Sequence, residues 1–86
     1  MANATKLWEK LSYRPYRSDI RLKELECVLN KVGFTKVRQT GSHRHYKNVD
    51  FSFTLTIPAH SDSDVILPIY VKLVYDWIVD HNLDHF

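Results

Sequence analysis

The segment Phe51-Ser52-Phe53-Thr54-Leu55-Thr56-Ile57 alternates strictly between apolar and hydroxylated side chains. A period of two belongs to a β-strand with one face buried and the other wet. The sequence therefore predicts a strand over 51–57 in a sheet that keeps an open face. With 86 residues the chain has room for one domain and one modest core, so covering a single face of a small sheet is the economical solution.

Two further strands are predicted just before it. Thr35 to Gln39 forms the first, Thr40-Gly41-Ser42 the turn, and His43 to Lys47 the second, with Asn48 in the next turn. Loops this short make the sheet antiparallel, because parallel strands need long crossovers. A helix precedes the strands over about 22–32, where Leu25, Val28, Leu29 and Val32 make one apolar stripe. Gly33 is placed to end it in the left-handed conformation with Phe34 packing back, and Ser18 or Asp19 to cap its start. A last helix begins at Pro68, and Tyr70, Leu73, Val74, Trp77 and Ile78 form its stripe. The expected fold is α+β, in the order α-β-β-β-α, with two helices on one face of a three-stranded antiparallel sheet.

Residues 1–18 read as an extension to a domain spanning 19–86. Leu7, Trp8 and Leu11 suit a short helix over about 5–11, and Pro15 breaks it. Trp8, Tyr13 and Tyr16 suggest that this arm packs on something, the domain itself or a partner. The apolar run Val65–Val71 is far below the roughly 18 residues that span a bilayer, and the N-terminus carries no apolar signal core. The single cysteine, Cys27, forms no intrachain disulfide and has no neighbour that would activate its thiol. The expectation is a cytoplasmic protein held by its core.

The net charge of +2 hides an asymmetry: residues 1–50 carry eleven Lys/Arg against five Asp/Glu, while 51–86 carry Lys72 against five aspartates. Between Lys31 and Lys47 there are five cations, two histidines and no acid. Such a segment suits phosphate-bearing or acidic partners, and a solvated surface is the plain alternative. If Val37 and Tyr46 face the core, then Lys36, Arg38, His43, His45 and Lys47 share the open face with Ser52, Thr54 and Thr56. Cations and hydroxyls bind phosphate, and imidazole moves protons near neutral pH. RNA brings its own nucleophile, the 2′-hydroxyl, so its cleavage needs only phosphate positioning, charge stabilisation and proton transfer. His43, beside a turn and among cations, is the candidate for that transfer.

Other chemistry is less well supported. His43 and His45 with His60 lack the cysteine or carboxylate partners usual in a metal site. Ser42, His60 and Asp62 have no nucleophile elbow to make them a triad. Gly33 and Gly41 are the only glycines, so there is no glycine-rich phosphate loop.

Leu25 to Phe34, followed by Lys36-Val37-Arg38-Gln39-Thr40-Gly41-Ser42-His43-Arg44-His45-Tyr46, closely resembles the HicA family of toxins from toxin–antitoxin pairs. Ile57-Pro58-Ala59-His60 resembles the family's Val-Pro-x-His segment, and Ile66 to Val71 the start of its last helix. The resemblance covers about residues 20–80. It implies a double-stranded-RNA-binding-domain-like fold and an mRNA interferase, an endoribonuclease that cleaves mRNA without a cofactor or metal and is neutralised by a HicB-type antitoxin. The family's catalytic histidine falls on His43. The RNA-binding candidates are Lys36, Arg38, Gly41, Ser42, His45 and Lys47, of which the cations come from the face argument and not from the family. Three features depart from the family pattern: the extension before Ser18, the Arg44-His45 pair, and the acidic approach to the last helix through Asp62 and Asp64. Two rival readings remain: a non-catalytic RNA-binding module on the same fold, and an interaction domain using Trp8 or Tyr16.

Overall fold

The computed structural model describes residues 4–13 and 19–84. The expected break at Pro15, Tyr16 as part of the aromatic arm, and Ser18 as a cap all lie outside them. The elements run α1 (Ala4–Tyr13), α2 (Leu22–Lys31), β1 (Phe34–Thr40), β2 (His43–Asn48), β3 (Phe53–Pro58) and α3 (Pro68–Asp80). The strands form one antiparallel sheet in the order β1-β2-β3. The α+β architecture expected from the sequence is therefore present, and the short helix expected in front of it over about 5–11 is α1.

Tyr46, Leu55 and Ile57 project from one face of the sheet into a core completed by Leu25, Val28 and Leu29 of α2 and Val71, Val74 and Ile78 of α3. Leu7, Trp8 and Leu11 of α1 are buried in the same cluster, and Trp8 stacks on Tyr75 with ring centroids 5.1 Å apart. The arm thus packs on its own domain. Tyr13, by contrast, is exposed. Cys27 is a free, half-buried packing residue.

Several elements depart from the expectation. The strand predicted from Phe51 begins at Phe53, because Ser52 takes φ +49° in a turn and Phe51 packs edge-on against Trp77 and His81. Asn48 is not a turn residue but the fully buried end of β2. Its amide donates to the Val32 carbonyl (3.1 Å) and accepts from the Asp50 N–H (3.1 Å), which ties the end of α2 to the turn after β2. Beside it, Gly33 ends α2 at φ +102°, where a side chain would be strained and its Cβ would meet the Asn48 amide at 3.3 Å. Leu73 is exposed, and Val71 takes the buried position the sequence had given it.

The start of α2 is not capped by Asp19. Arg21 is the N-cap residue, and its N–H donates to Glu24 Oε1 (3.0 Å). The next two orphan amides are satisfied from far along the chain: Leu22 N–H by the Asp64 carbonyl (2.9 Å) and Lys23 N–H by that of Asp62 (3.0 Å). Ile66 N–H also donates to the Ile20 carbonyl (2.8 Å), so the acidic loop is laced to the head of α2.

Candidate active site

Among the described residues nothing covers the face of the sheet opposite the helices, and β2 is the central strand. Side chains opposed across an antiparallel ladder project from the same face. On β2, Arg44, Tyr46 and Asn48 are buried, which puts His43, His45 and Lys47 on the open face as the sequence suggested. Each sits in a row across the sheet. Thr40, His43 and Pro58 form one, Arg38, His45 and Thr56 the next, and Thr35, Lys47 and Thr54 the third. The rows contain two cations, two imidazoles, hydroxyls and no carboxylate.

Lys36 does not share this face. A β-bulge between Lys36 and Arg38 adds one residue to β1, so Lys36 opposes Tyr46 while Arg38 opposes His45. Val37, expected in the core, is 56% exposed. Beyond Phe34 the residues of this edge strand are exposed, so no core contact fixes the alternation, and edge strands are where bulges occur.

The turn that presents His43 is held on both sides. Gly41 takes φ +57° with open space around it. The Gln39 side-chain amide donates to the Gly41 carbonyl (3.5 Å), and Ala59 N–H donates to that of Ser42 (2.6 Å), which extends the β2–β3 ladder one pair past its end. His43 is exposed. His45 is half-buried, with Nδ1 2.9 Å from the Thr56 hydroxyl. Arg38 Nε donates to the Thr40 hydroxyl (3.2 Å), which steers the guanidinium along the face. Thr56 was legible as an outward residue, but its tie to His45 depends on cross-strand register, which no local pattern encodes.

Arg44 lies on the other face. It is 5% exposed, and its guanidinium donates to the Asp62 carboxylate and, at 3.5 Å, to the His60 carbonyl. This cation of the basic segment is thus already matched. The hydrogen bond from Arg44 holds the Asp62 carboxyl below the usual carboxylate range. Asp64 is also held low, first by the His60 N–H (2.6 Å) and then by the Ser61 hydroxyl (3.0 Å). The acidic loop is a structural knot. His60 is exposed beyond the end of β3. Among the described residues no group of three or more His, Cys, Asp or Glu side chains is arranged to hold a metal ion, and no helix is long and apolar enough to cross a membrane.

The HicA toxin family of bacterial toxin–antitoxin systems matches residues 22–72. The chain belongs to that family. The matched span runs from the first residue of α2 into α3 and takes in the whole sheet, with His43 and the turn that presents it. Helix α1 lies outside it. No curated protein and no solved structure matches the chain.

Proposed function

We propose that this HicA-family toxin is an endoribonuclease that cleaves mRNA in the cytoplasm through His43, and that a HicB-type antitoxin neutralises it. The observation that carries the reading is the exposed His43 on an open sheet face whose three described rows also hold Arg38 and Lys47 and no carboxylate. The reaction is a transphosphorylation within the RNA. The 2′-hydroxyl loses its proton, its oxygen bonds to the adjacent phosphorus, and the bond from phosphorus to the 5′-oxygen breaks. That oxygen takes up a proton, leaving a 2′,3′-cyclic phosphate and a 5′-hydroxyl. No external nucleophile is consumed, so phosphate binding and proton transfer suffice. His43 moves a proton at the 2′-oxygen or at the leaving oxygen. Arg38 and Lys47 hold the phosphates, and Ser42 and Gly41, which has no side chain, bring the turn up to the strand being cut.

The purified protein is expected to cut a labelled single-stranded RNA to products with those two end groups, while His43→Ala folds and does not cut. Uncut RNA with the folded wild type, together with RNA affinity that survives His43→Ala, supports instead a binding module that uses the same cations.

A further inference from the structure

We infer that His45 is a second proton-transfer group of this site, positioned by Thr56 and working with His43 on the same phosphate. The inference rests on the ribonuclease reading and assigns it a second catalytic residue.

Of the three β2 side chains on the open face, His43 and Lys47 are exposed and His45 alone is half-buried. Its Nδ1 is engaged by the Thr56 hydroxyl at 2.9 Å, which leaves Nε2 as the free ring nitrogen. A hydroxyl suits a ring that changes protonation state, because it both donates and accepts. It donates to Nδ1 when Nε2 carries the proton, and it accepts from Nδ1–H when Nε2 is bare. A carboxylate or carbonyl partner would allow only the second arrangement.

The spacing fits the chemistry. Residues two apart on a strand lie about 7 Å apart on one face. In-line displacement places the 2′-oxygen and the leaving 5′-oxygen on opposite sides of phosphorus, and each needs a proton carrier within about 3 Å. One imidazole accepts the 2′-hydroxyl proton as the new P–O bond forms. The other gives a proton to the 5′-oxygen as that oxygen leaves with the bonding pair. The groups facing His45 are Arg38 from β1, Thr56 from β3, and His43 and Lys47 along β2. Arg38 shares its row and is placed for a non-bridging phosphate oxygen.

The test is kcat and KM across the histidine titration range, for wild type, His43→Gln, His45→Gln, Thr56→Val and Thr56→Ser, with amide spectra to establish folding. Wild type is expected to give a bell-shaped profile. His45→Gln lowers kcat by about 10²–10⁴-fold, removes one limb and leaves KM within a few-fold. Thr56→Val shifts that same limb and moves the His45 ring-nitrogen signals while leaving those of His43 in place, and Thr56→Ser restores both. A substrate with a nitrophenolate leaving group relieves the loss in whichever histidine variant lacks the acid. Raised KM with kcat and both limbs intact in His45→Gln reduces the residue to phosphate binding and overturns the inference. So does a loss in both histidine variants that the better leaving group relieves in neither. Folded wild type that cuts no RNA removes the ribonuclease reading itself, and the inference with it.

Discussion

Asp62 binds Arg44 with its carboxylate and caps α2 with its carbonyl, which accepts the Lys23 N–H at 3.0 Å. One loop residue thereby joins the central strand to the head of a helix. Arg44 is buried, its Nε has no hydrogen-bond partner among the described residues, and Asp62 is the main counter-charge of its guanidinium, ahead of Glu26. Asp62→Ala removes that main counter-charge, and it is expected to lower the thermal midpoint and speed exchange of the Leu22 and Lys23 amides. Arg44→Met combined with Asp62→Ala should recover part of the loss, because removing both charges is milder than stranding one. Thermal melts of the single and double variants check this.

The same knot sets the acid limit of stability. Asp62 and Asp64 hold their protons more weakly when folded than when unfolded. The unfolded chain therefore binds more protons in acid, and the stabilisation is complete above the ordinary carboxylate range and lost as pH falls through the lower native values. The urea midpoint should be flat above about pH 5 and fall below about pH 4, and Asp64→Asn should make the fall shallower. Burial, and then the hydrogen bond to Glu26, push the Tyr46 hydroxyl up. Its contribution has the opposite sign, present below about pH 10 and lost on ionisation at higher pH. Urea titrations over the whole range test both limbs.

Trp8 is a core residue contributed by a helix outside the family match. Trp8→Ala is expected to cost about 3–5 kcal/mol, the usual range for truncating a buried large aromatic. A cost under about 1 kcal/mol, with loss of a binding partner, would return the N-terminal arm to the role of a docking surface. Denaturant unfolding decides between them.

The bulge in β1 separates two cations that lie two residues apart in sequence, Lys36 and Arg38. Arg38→Ala and Lys47→Ala should each lower the magnitude of the salt slope of single-stranded RNA binding by about 0.7, one phosphate's worth. Lys36→Ala, opposed to Tyr46 on the other face, should change it much less. Binding titrations across a salt series measure all three. An equal effect at Lys36 would contradict the face assignment.

The strand around Leu55 and Ile57 was legible because its buried side chains alternate with hydroxyls and leave no second solution. The parity of β2 followed from Tyr46 alone, and it held because both neighbouring strands pair with β2 and the core fixes that ring. Lys36 was misplaced because exposed edge residues carry no pattern from which to read a bulge. The rotation of α3 was missed because apolar residues occur around most of that helix, so that Leu73 and Val71 fit the stripe about equally well. The capping of α2 was invisible for another reason: its acceptors are backbone carbonyls some forty residues away, and every residue has one. His43 was legible as a candidate from its turn and its cations, whereas the Thr56 hydroxyl on His45 needed the register of β3.

The central claim is that His43 carries an RNA-cleaving activity. The most direct measurement is growth after tightly controlled induction of wild type and His43→Ala, with total RNA from each culture checked for cleavage. The account predicts arrest and loss of mRNA with the wild type, and normal growth with intact RNA for a soluble, folded His43→Ala. Equal arrest and cleavage in both cultures would contradict the role of His43. Intact RNA in both, with folded wild-type protein present, would contradict the ribonuclease.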